Sequence, residues 1–370
     1  MEEQRSGGGN APASTQELEM IAAAFRASEP VYRSMGSPLY AELCIGALAD
    51  PDILELTRNA EASARPVHLF TAVHHLLMQA PDDPLSRYFP TLTDQPGPAE
   101  RAYPEFARYC RAHREELLRL IDTHSVQMTY VERCRALLPP LALVAGQAGE
   151  PLNLVDIGCS AGVMLTFDKY AYEYAGHPRV GAADAPLTLE GELLGEPVLR
   201  IPEIGSRTGI DLHTVDVASE EARRWVLAST FPELREQQAR LATALDVVAR
   251  TDIRLLEGDG LELLEDVLAD TPSPLCVYHS ATLFYWSAEA SAALEALLQE
   301  ASADRDIYRV AIEPSDQFIA WQRGGGGMDQ APSDMPKGEI VVSHYHGGEV
   351  ERRTVAYNNR SDYGCVEWID

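Results

Sequence analysis

L-N-L-V-D-I-G-C-S-A-G-V-M-L, running from Leu152 to Leu165, decides how this 370-residue chain is read. Leu152, Leu154, Val155 and Ile157 form an apolar run expected to be a buried strand, which breaks at Gly158 into a loop of small residues opening an apolar helix. Glycines at 158 and 162 let backbone N–H groups approach a ligand, and the N-terminus of the following helix favours a negative group. The stretch therefore reads as a ligand cradle containing Asp156, Gly158, Ser160 and Gly162.

The spacing is D-x-G-x-x-x-G. A nicotinamide-binding loop wants glycines at 158, 160 and 163, where the chain has Gly158, Ser160 and Val163, so the dinucleotide fingerprint is excluded. The string instead resembles the first motif of class I S-adenosylmethionine (SAM) methyltransferases, D/E-x-G-x-G-x-G, with Ser160 at the middle glycine. Taken alone, an ordinary strand-to-helix turn explains it too. Two further acid-tipped strands follow in order. Gly209 to Thr214, G-I-D-L-H-T, places Asp211 where a carboxylate would accept both ribose hydroxyls of an adenosine. Ile253 to Gly260, I-R-L-L-E-G-D-G, offers Asp259 either to an adenine amino group or to a strand-ending turn.

Pro274 to Ser280 and Ile307 to Pro314 read as two later strands, each after a helical run, with His279, Ser280 and Glu313 at their ends. Strands alternating with helices imply right-handed crossovers and a parallel sheet whose ligand lies at the carboxyl ends. The tail changes character: E-I-V-V-S-H-Y, a turn at Gly347 and Gly348, and V-E-R-R-T-V-A-Y predict an antiparallel hairpin, with Gly364 to Trp368 as a further strand. The expected fold is α/β, a Rossmann-like class I methyltransferase sheet, mostly parallel and closed by an antiparallel C-terminal hairpin.

An all-helical domain is expected over 16–149, ahead of the α/β domain at 150–370 and behind a flexible tail at 1–15 without the apolar core of a signal peptide. Its helices are predicted at Gln16–Ala27, Pro38–Ala49, Pro66–Gln79, Pro104–Thr123 and Thr129–Ala145. Adjacent His74 and His75 face different sides of one helix, which suits core histidines better than a shared metal. A chain with 57 Asp and Glu against 30 Lys and Arg, net charge −27, is a poor match for a nucleic acid backbone and points to a small-molecule or protein substrate. Six scattered cysteines without C-x-x-C spacing suit a reducing cytoplasm, and no apolar run approaches the roughly 20 residues that span a bilayer.

Several motifs in order resemble a bacterial family of methyltransferase-like proteins of unknown function: S-P-L-Y-A-E-L, A-V-H-H-L-L-M-Q-A-P, V-Q-M-T-Y-V-E-R-C-R-A-L-L-P, D-I-G-C-S-A-G with D-K-Y-A-Y-E-Y, R-T-G-I-D-L-H-T-V-D-V, and Y-H-S-A-T-L-F-Y. The chain departs from that pattern at Met128 to Tyr130, at Val163 to Leu165 and at Asp362 to Gly364, where polar cleft groups are replaced. The resemblance implies a SAM-binding domain with a helical cap, acting in bacterial secondary metabolism. It extends to an antibiotic branch of the azinomycin type, which implies a SAM-requiring cyclase that closes an aziridine with loss of sulfate alongside a small partner protein. There the sulfonium charge would stabilise the departing anion.

Methyl transfer by a cytoplasmic SAM-dependent enzyme is the expected activity, with His279 as general base and Glu313 orienting it or binding a substrate amine. Tyr285 and Trp286 either wall the substrate pocket or belong to the core. Asp156, Gly158, Ser160, Gly162, Asp211, Asp259 and Ser280 would hold the cofactor. Arg207 and His213 are candidates for holding sulfate in ring closure. A catalytically silent SAM-fold scaffold is the alternative from a different class. His344 and His346 face one side of a hairpin strand, but without a third ligand nearby in sequence no metal site is expected. Arg323 and the four glycines after it read as a linker or lid.

Overall fold

A capping box opens the first helix of the computed structural model: Ser14 accepts from the Glu17 backbone while the Glu17 carboxylate accepts from Ser14, which starts α1 at Thr15–Ser34. The structure describes residues 13–62, 64–323, 335, 337–359 and 363–370. The expected tail therefore lies outside the described residues up to position 12, and the glycine run after Arg323 lies outside them as well. The described chain forms two units: residues up to Val126 with Ala228–Arg235, and Gln127–Leu227 with Glu236–Asp370.

Prolines in the first turn start three of the next helices, α2 (Pro38–Ala47), α3 (Pro51–Glu55) and α4 (Arg65–Leu77). The helix expected over Pro104–Thr123 is two, α5 (Tyr103–Ala112) and α6 (Arg114–Thr123), because the backbone leaves the helical region at His113. Aromatic rings fill the core of this unit, with Tyr40 and Phe70 4.7 Å apart between centroids. Phe231 packs 5.7 Å from both Tyr32 and Tyr40. The Glu233 carboxylate, at Ser37 Oγ (2.7 Å) and Leu39 N (2.9 Å), caps α2. His74 is a core histidine here: Nδ1 lies 3.0 Å from Ala228 O and Nε2 2.8 Å from Thr91 Oγ1. Burial pushes its pKa down to about 4, so the ring is neutral.

The expected boundary at 149/150 is corrected. Helix α7 (Cys134–Ala148) belongs to the sheet's unit, since Leu137, Leu138, Leu141 and Val144 share a core with Leu152, Leu154, Cys276 and Tyr278. Residues 228–235 join the helical unit through Phe231 and Glu233.

The second unit carries a ten-stranded, mostly parallel sheet. Its strands are β1 (Leu152–Ile157), β2 (Ala171–Ala175), β3 (Thr188–Leu194), β4 (Ile204–Asp211), β5 (Arg254–Glu257), β6 (Leu275–Ser280), β7 (Ile307–Pro314), β8 (Gly338–His346), β9 (Glu349–Asn358) and β10 (Cys365–Trp368). Helices α8 (Glu220–Ala228), α9 (Arg235–Val248), α10 (Gly260–Asp270), α11 (Ala288–Ala301) and α12 (Asp316–Arg323) intervene. The spatial order is β2-β3-β10-β9-β8-β7-β6-β1-β4-β5. From β5 to β7 every pairing is parallel. The hairpin β8–β9 is antiparallel, as its Gly347–Gly348 turn predicts. Strands β2 and β3 are not anticipated from the sequence.

Taken in chain order, the five strands β1, β4, β5, β6 and β7 lie as 3-2-1-4-5, so the winding reverses between β1 and β6. In open α/β sheets such a reversal leaves a crevice outside the carboxyl ends of the strands. Side chains alternate along each strand, so Leu154 packs with α7 on one face and Val155 with α10 and α11 on the other.

Candidate functional site at the strand reversal

The loop after β1 is built from left-handed residues: Gly158 at φ 82°, Ser160 at φ 50° and Gly162 at φ 75°. Ala281, after β6, is also left-handed at φ 50°. For Ser160 and Ala281 that conformation costs on the order of 1 kcal/mol each, and such strain gathers at functional sites. The glycines act differently from expectation. A Cβ on Gly158 would lie 2.4 Å from Thr282 Oγ1, so the missing side chain admits Thr282. The Gly158 and Gly162 N–H groups are already bonded, to Ile210 O and Cys159 O at 2.8 Å each. The helix expected after the loop is a 3-10 stretch, Val163–Lys169, kinked at Thr166, so the helix-dipole argument for a negative group falls. Arg207 pins that stretch through Leu165 O (2.9 Å) and Asp168 Oδ2 (2.8 Å), which removes it as a sulfate donor.

Asp211 ends β4 beside the loop, but its oxygens are engaged. Oδ2 accepts from Ser160 N at 2.8 Å, and Oδ1 accepts from His213 N at 3.0 Å and from Gln127 Nε2 at 2.7 Å. The Gln127 amide also reaches back with Oε1, which accepts from Ser160 Oγ at 2.8 Å, while Thr129 Oγ1 lies 2.9 Å from Ser160 Oγ. The sequence gives Gln127 and Thr129 no role of their own in the site, because the helix expected over Thr129–Ala145 begins only at Cys134, after a 3-10 turn at Val131–Arg133 that Tyr130 enters in extended conformation. A stretch alternating Gln127, Thr129 and Val131 carries the signal of an extended segment.

Beneath the loop, on the α7 face, lie buried polar atoms without partners. Ser280 Oγ and Arg133 Nε each lack a hydrogen bond, while the Tyr278 hydroxyl and the Asp156 carboxyl face each other as a buried polar pair. Asp156 and Tyr278 are neighbours across β1 and β6, and Asp156 is 2% exposed. Burial pushes the Asp156 carboxyl up to about 8, with Tyr278 and Arg133 opposing the rise and Asp211 adding to it, so the group is a neutral acid near pH 7. Arg133 donates from Nη1 to Ser280 O at 2.9 Å, and its guanidinium lies 5.8 Å from the Tyr130 ring and 5.5 Å from that of Tyr363. Tyr130 and Tyr363 are two of the positions that depart from the family pattern; Asp362, beside the second, lies outside the described residues.

His279 and Glu313 sit on the opposite face. Strand alternation separates His279 from Ser280, although the two are adjacent in sequence. Arg309 Nε donates to His279 Nε2 at 3.0 Å; Nδ1 therefore carries the proton and donates to Glu313 Oε1 at 2.6 Å. Burial holds this imidazole below its ordinary pKa against the pull of Glu313. With both nitrogens engaged and 0% exposure, His279 has no atom to offer a substrate, and its expected role as general base is corrected. Burial raises the Glu313 carboxyl, but hydrogen bonds from His279, Thr282 N and Leu283 N outweigh it and hold the group below its ordinary value. Glu313 thus anchors the 281–283 loop and is not placed to bind a substrate amine.

The remaining expected residues divide. Asp259 Oδ1 caps α10 through Leu261 N (2.9 Å) and Glu262 N (3.2 Å), the strand-ending turn role expected of it. Tyr285 is 78% exposed, so it is no core residue, whereas Trp286 packs toward Gly260 and Ile157. The loop and Asp156, Ser160, Asp211 and Ser280 do come together. All six cysteines are free and buried. Among the described residues, no helix is long and apolar enough to cross a membrane.

No curated protein matches the chain significantly. A family profile described as an uncharacterized protein conserved in bacteria, DUF2332, matches residues 22–364. With a match over nearly its whole length, the chain belongs to the DUF2332 family of bacterial proteins.

Proposed function

We propose that this chain binds SAM at the reversal between β1 and β6 and uses it on a small molecule, by methyl transfer. The observation that carries the reading is a buried polar group under a left-handed loop at the strand reversal, in which Ser280 Oγ and Arg133 Nε have no partner beside the Asp156–Tyr278 pair. A buried polar group without a partner costs about 1–3 kcal/mol, which a polar ligand would recover.

The residues fit this cofactor. Gln127 offers Asp211 and Ser160 one donor and one acceptor, the pattern a ribose hydroxyl presents, so the amide stands in for the sugar and must swing aside to admit it. Arg133 Nε is available to a carboxylate, and Asp211 to the ribose. Bound SAM would supply an electrophilic methyl on a sulfonium. The chain itself contributes binding and orientation, because no side chain in the group is placed as a strong base: Asp156 is a neutral acid and His279 is sealed. Acceptors that already hold a free lone pair at neutral pH, such as a weakly basic amine, suit a site of this kind.

A second reading has its own observation. Thr282 fills the space over Gly158 and Gln127 satisfies Asp211, the closure expected of a silent scaffold. Calorimetric titration with SAM and S-adenosylhomocysteine separates the two. The enzyme reading expects micromolar binding by the wild type, a loss of at least tenfold in Asp211→Ala, and equal or tighter binding in Gln127→Ala. Absence of binding by folded wild type and by Gln127→Ala would refute it. Methyl-labelled SAM then distinguishes methyl transfer from a ring closure that leaves the product unlabelled.

A further inference from the structure

His344 and His346 lie on one face of β8, and the structure supplies the third ligand that the sequence does not reveal. Asp306 immediately precedes β7, whose Tyr308 pairs with His344 and whose Ile307 pairs with Tyr345, so Asp306 falls level with His346. Its Oδ1 lies 3.1 Å from His344 Nε2 and 2.6 Å from His346 Nδ1. The three ligand atoms are all within 4.8 Å of one another, and this is the one such cluster among the described residues. Across the next pairing, Glu351 stands opposite His344 and Glu349 opposite His346. The strip therefore carries two imidazoles flanked by three carboxylates.

We propose that Asp306, His344 and His346 form a binding site for a divalent transition-metal ion, with coordination positions left open for water or an external ligand. Two imidazoles and one carboxylate are the donor set of open zinc and non-haem iron sites. Bonds of about 2.0–2.2 Å in a tetrahedral arrangement set ligand atoms about 3.3 Å apart. The Asp306–His344 distance already fits. The Asp306–His346 distance opens by a swing of His346, whose side chain is 75% exposed and free to move. His344 is held in place by stacking on Tyr308, with centroids 4.5 Å apart and planes 4° from parallel.

A second, independent feature adjoins it. A hollow of about 550 Å³ is lined by His344 together with Gln147, Tyr308, Val342, Glu351, Arg352 and Arg353, so a ligand seated there beside the ion would be an anion. An ion held by His344 would have room beside it for a ligand. The site lies at the amino end of β7, whereas Glu313 lies at the carboxyl end, about 20 Å away at roughly 3.3 Å per residue. It is thus separate from the strand-reversal site and independent of the reading given there.

The test is a zinc titration of the untagged, chelator-stripped full-length protein, by calorimetry and by competition with a chromophoric chelator. One equivalent at micromolar affinity or tighter is expected, weakened at least tenfold in His346→Ala and in Asp306→Asn. Asp156→Asn, at the other site, should bind as the wild type does. Cobalt(II) should give visible absorption bands with the wild type that both ligand variants lose. Wild-type affinity weaker than about 100 μM, or affinity unchanged in both ligand variants, would overturn the proposal. His346 is exposed, so His346→Ala keeps the fold, and circular dichroism verifies this.

Discussion

Asp156→Asn tests the electrostatics of the strand-reversal site directly. The folded carboxyl titrates at about 8, against about 3.9 for an unperturbed aspartate. Between those values the native state holds a proton that the unfolded state releases, so stability is greatest below the lower value and falls as pH rises toward the upper one. The slope is about 1.4 kcal/mol per pH unit, which between pH 5 and pH 7 amounts to about 2.6 kcal/mol once the approach to the folded value is included. Asparagine mimics the neutral acid and does not titrate. The stability difference between variant and wild type should therefore shift by about 2.6 kcal/mol in the variant's favour over that interval. Urea unfolding followed by tryptophan fluorescence at both pH values measures it. Parallel pH dependence in the two proteins would refute a buried neutral Asp156, and with it the account of its burial.

Gly158→Ala should destabilise the fold by about 2 kcal/mol or more, because its φ of 82° and the 2.4 Å approach to Thr282 Oγ1 both exclude a Cβ; thermal unfolding reads the loss. Glu313→Gln should cost about 1–3 kcal/mol in urea unfolding, since the amide oxygen can take the Oε1 place but then turns its NH2 toward the Thr282 N–H, and the charge that strengthens the bonds from His279, Thr282 and Leu283 is lost. Glu313 is held below its ordinary value, so its stabilisation is present at neutral pH and lost as pH falls through that lowered value. The wild type should lose this contribution in acid, and Glu313→Gln should not.

Much of the sheet is legible in the sequence because its strands are buried on both faces and read as apolar runs, as with Leu152–Ile157 and Leu275–Ser280. The hairpin is legible from Gly347 and Gly348. Strands β2 and β3 escape because their outward residues, such as Glu173, Glu190 and Glu192, break the apolar pattern near the sheet edge. The site is harder to read. Asp156, Ser160, Asp211 and Ser280 do gather, each lying at the carboxyl end of a strand or in the loop after one. His279 is misread because adjacency in sequence means opposite faces in a strand, and its partner Arg309 sits 30 residues away. Gln127, Thr129 and Arg133 meet the loop only through the tertiary fold, and the same holds for Asp306, which reaches His346 through strand pairing alone.

The helical unit owes Phe231 and the cap from Glu233 to a segment that enters the sequence late. Residues 127–227, a run of 101, separate it from Val126. At about 5–20 residues per second, a ribosome needs roughly 5–20 s to make that run. During that interval the emerged helices expose the faces of Tyr32 and Tyr40 that Phe231 covers, together with a His74 imidazole not yet bonded to Ala228. The amino-terminal unit of this protein is thus completed only after the first 101 residues of the following unit have been synthesised, so a gene fragment ending at position 126 or 149 encodes a helical bundle with an open core.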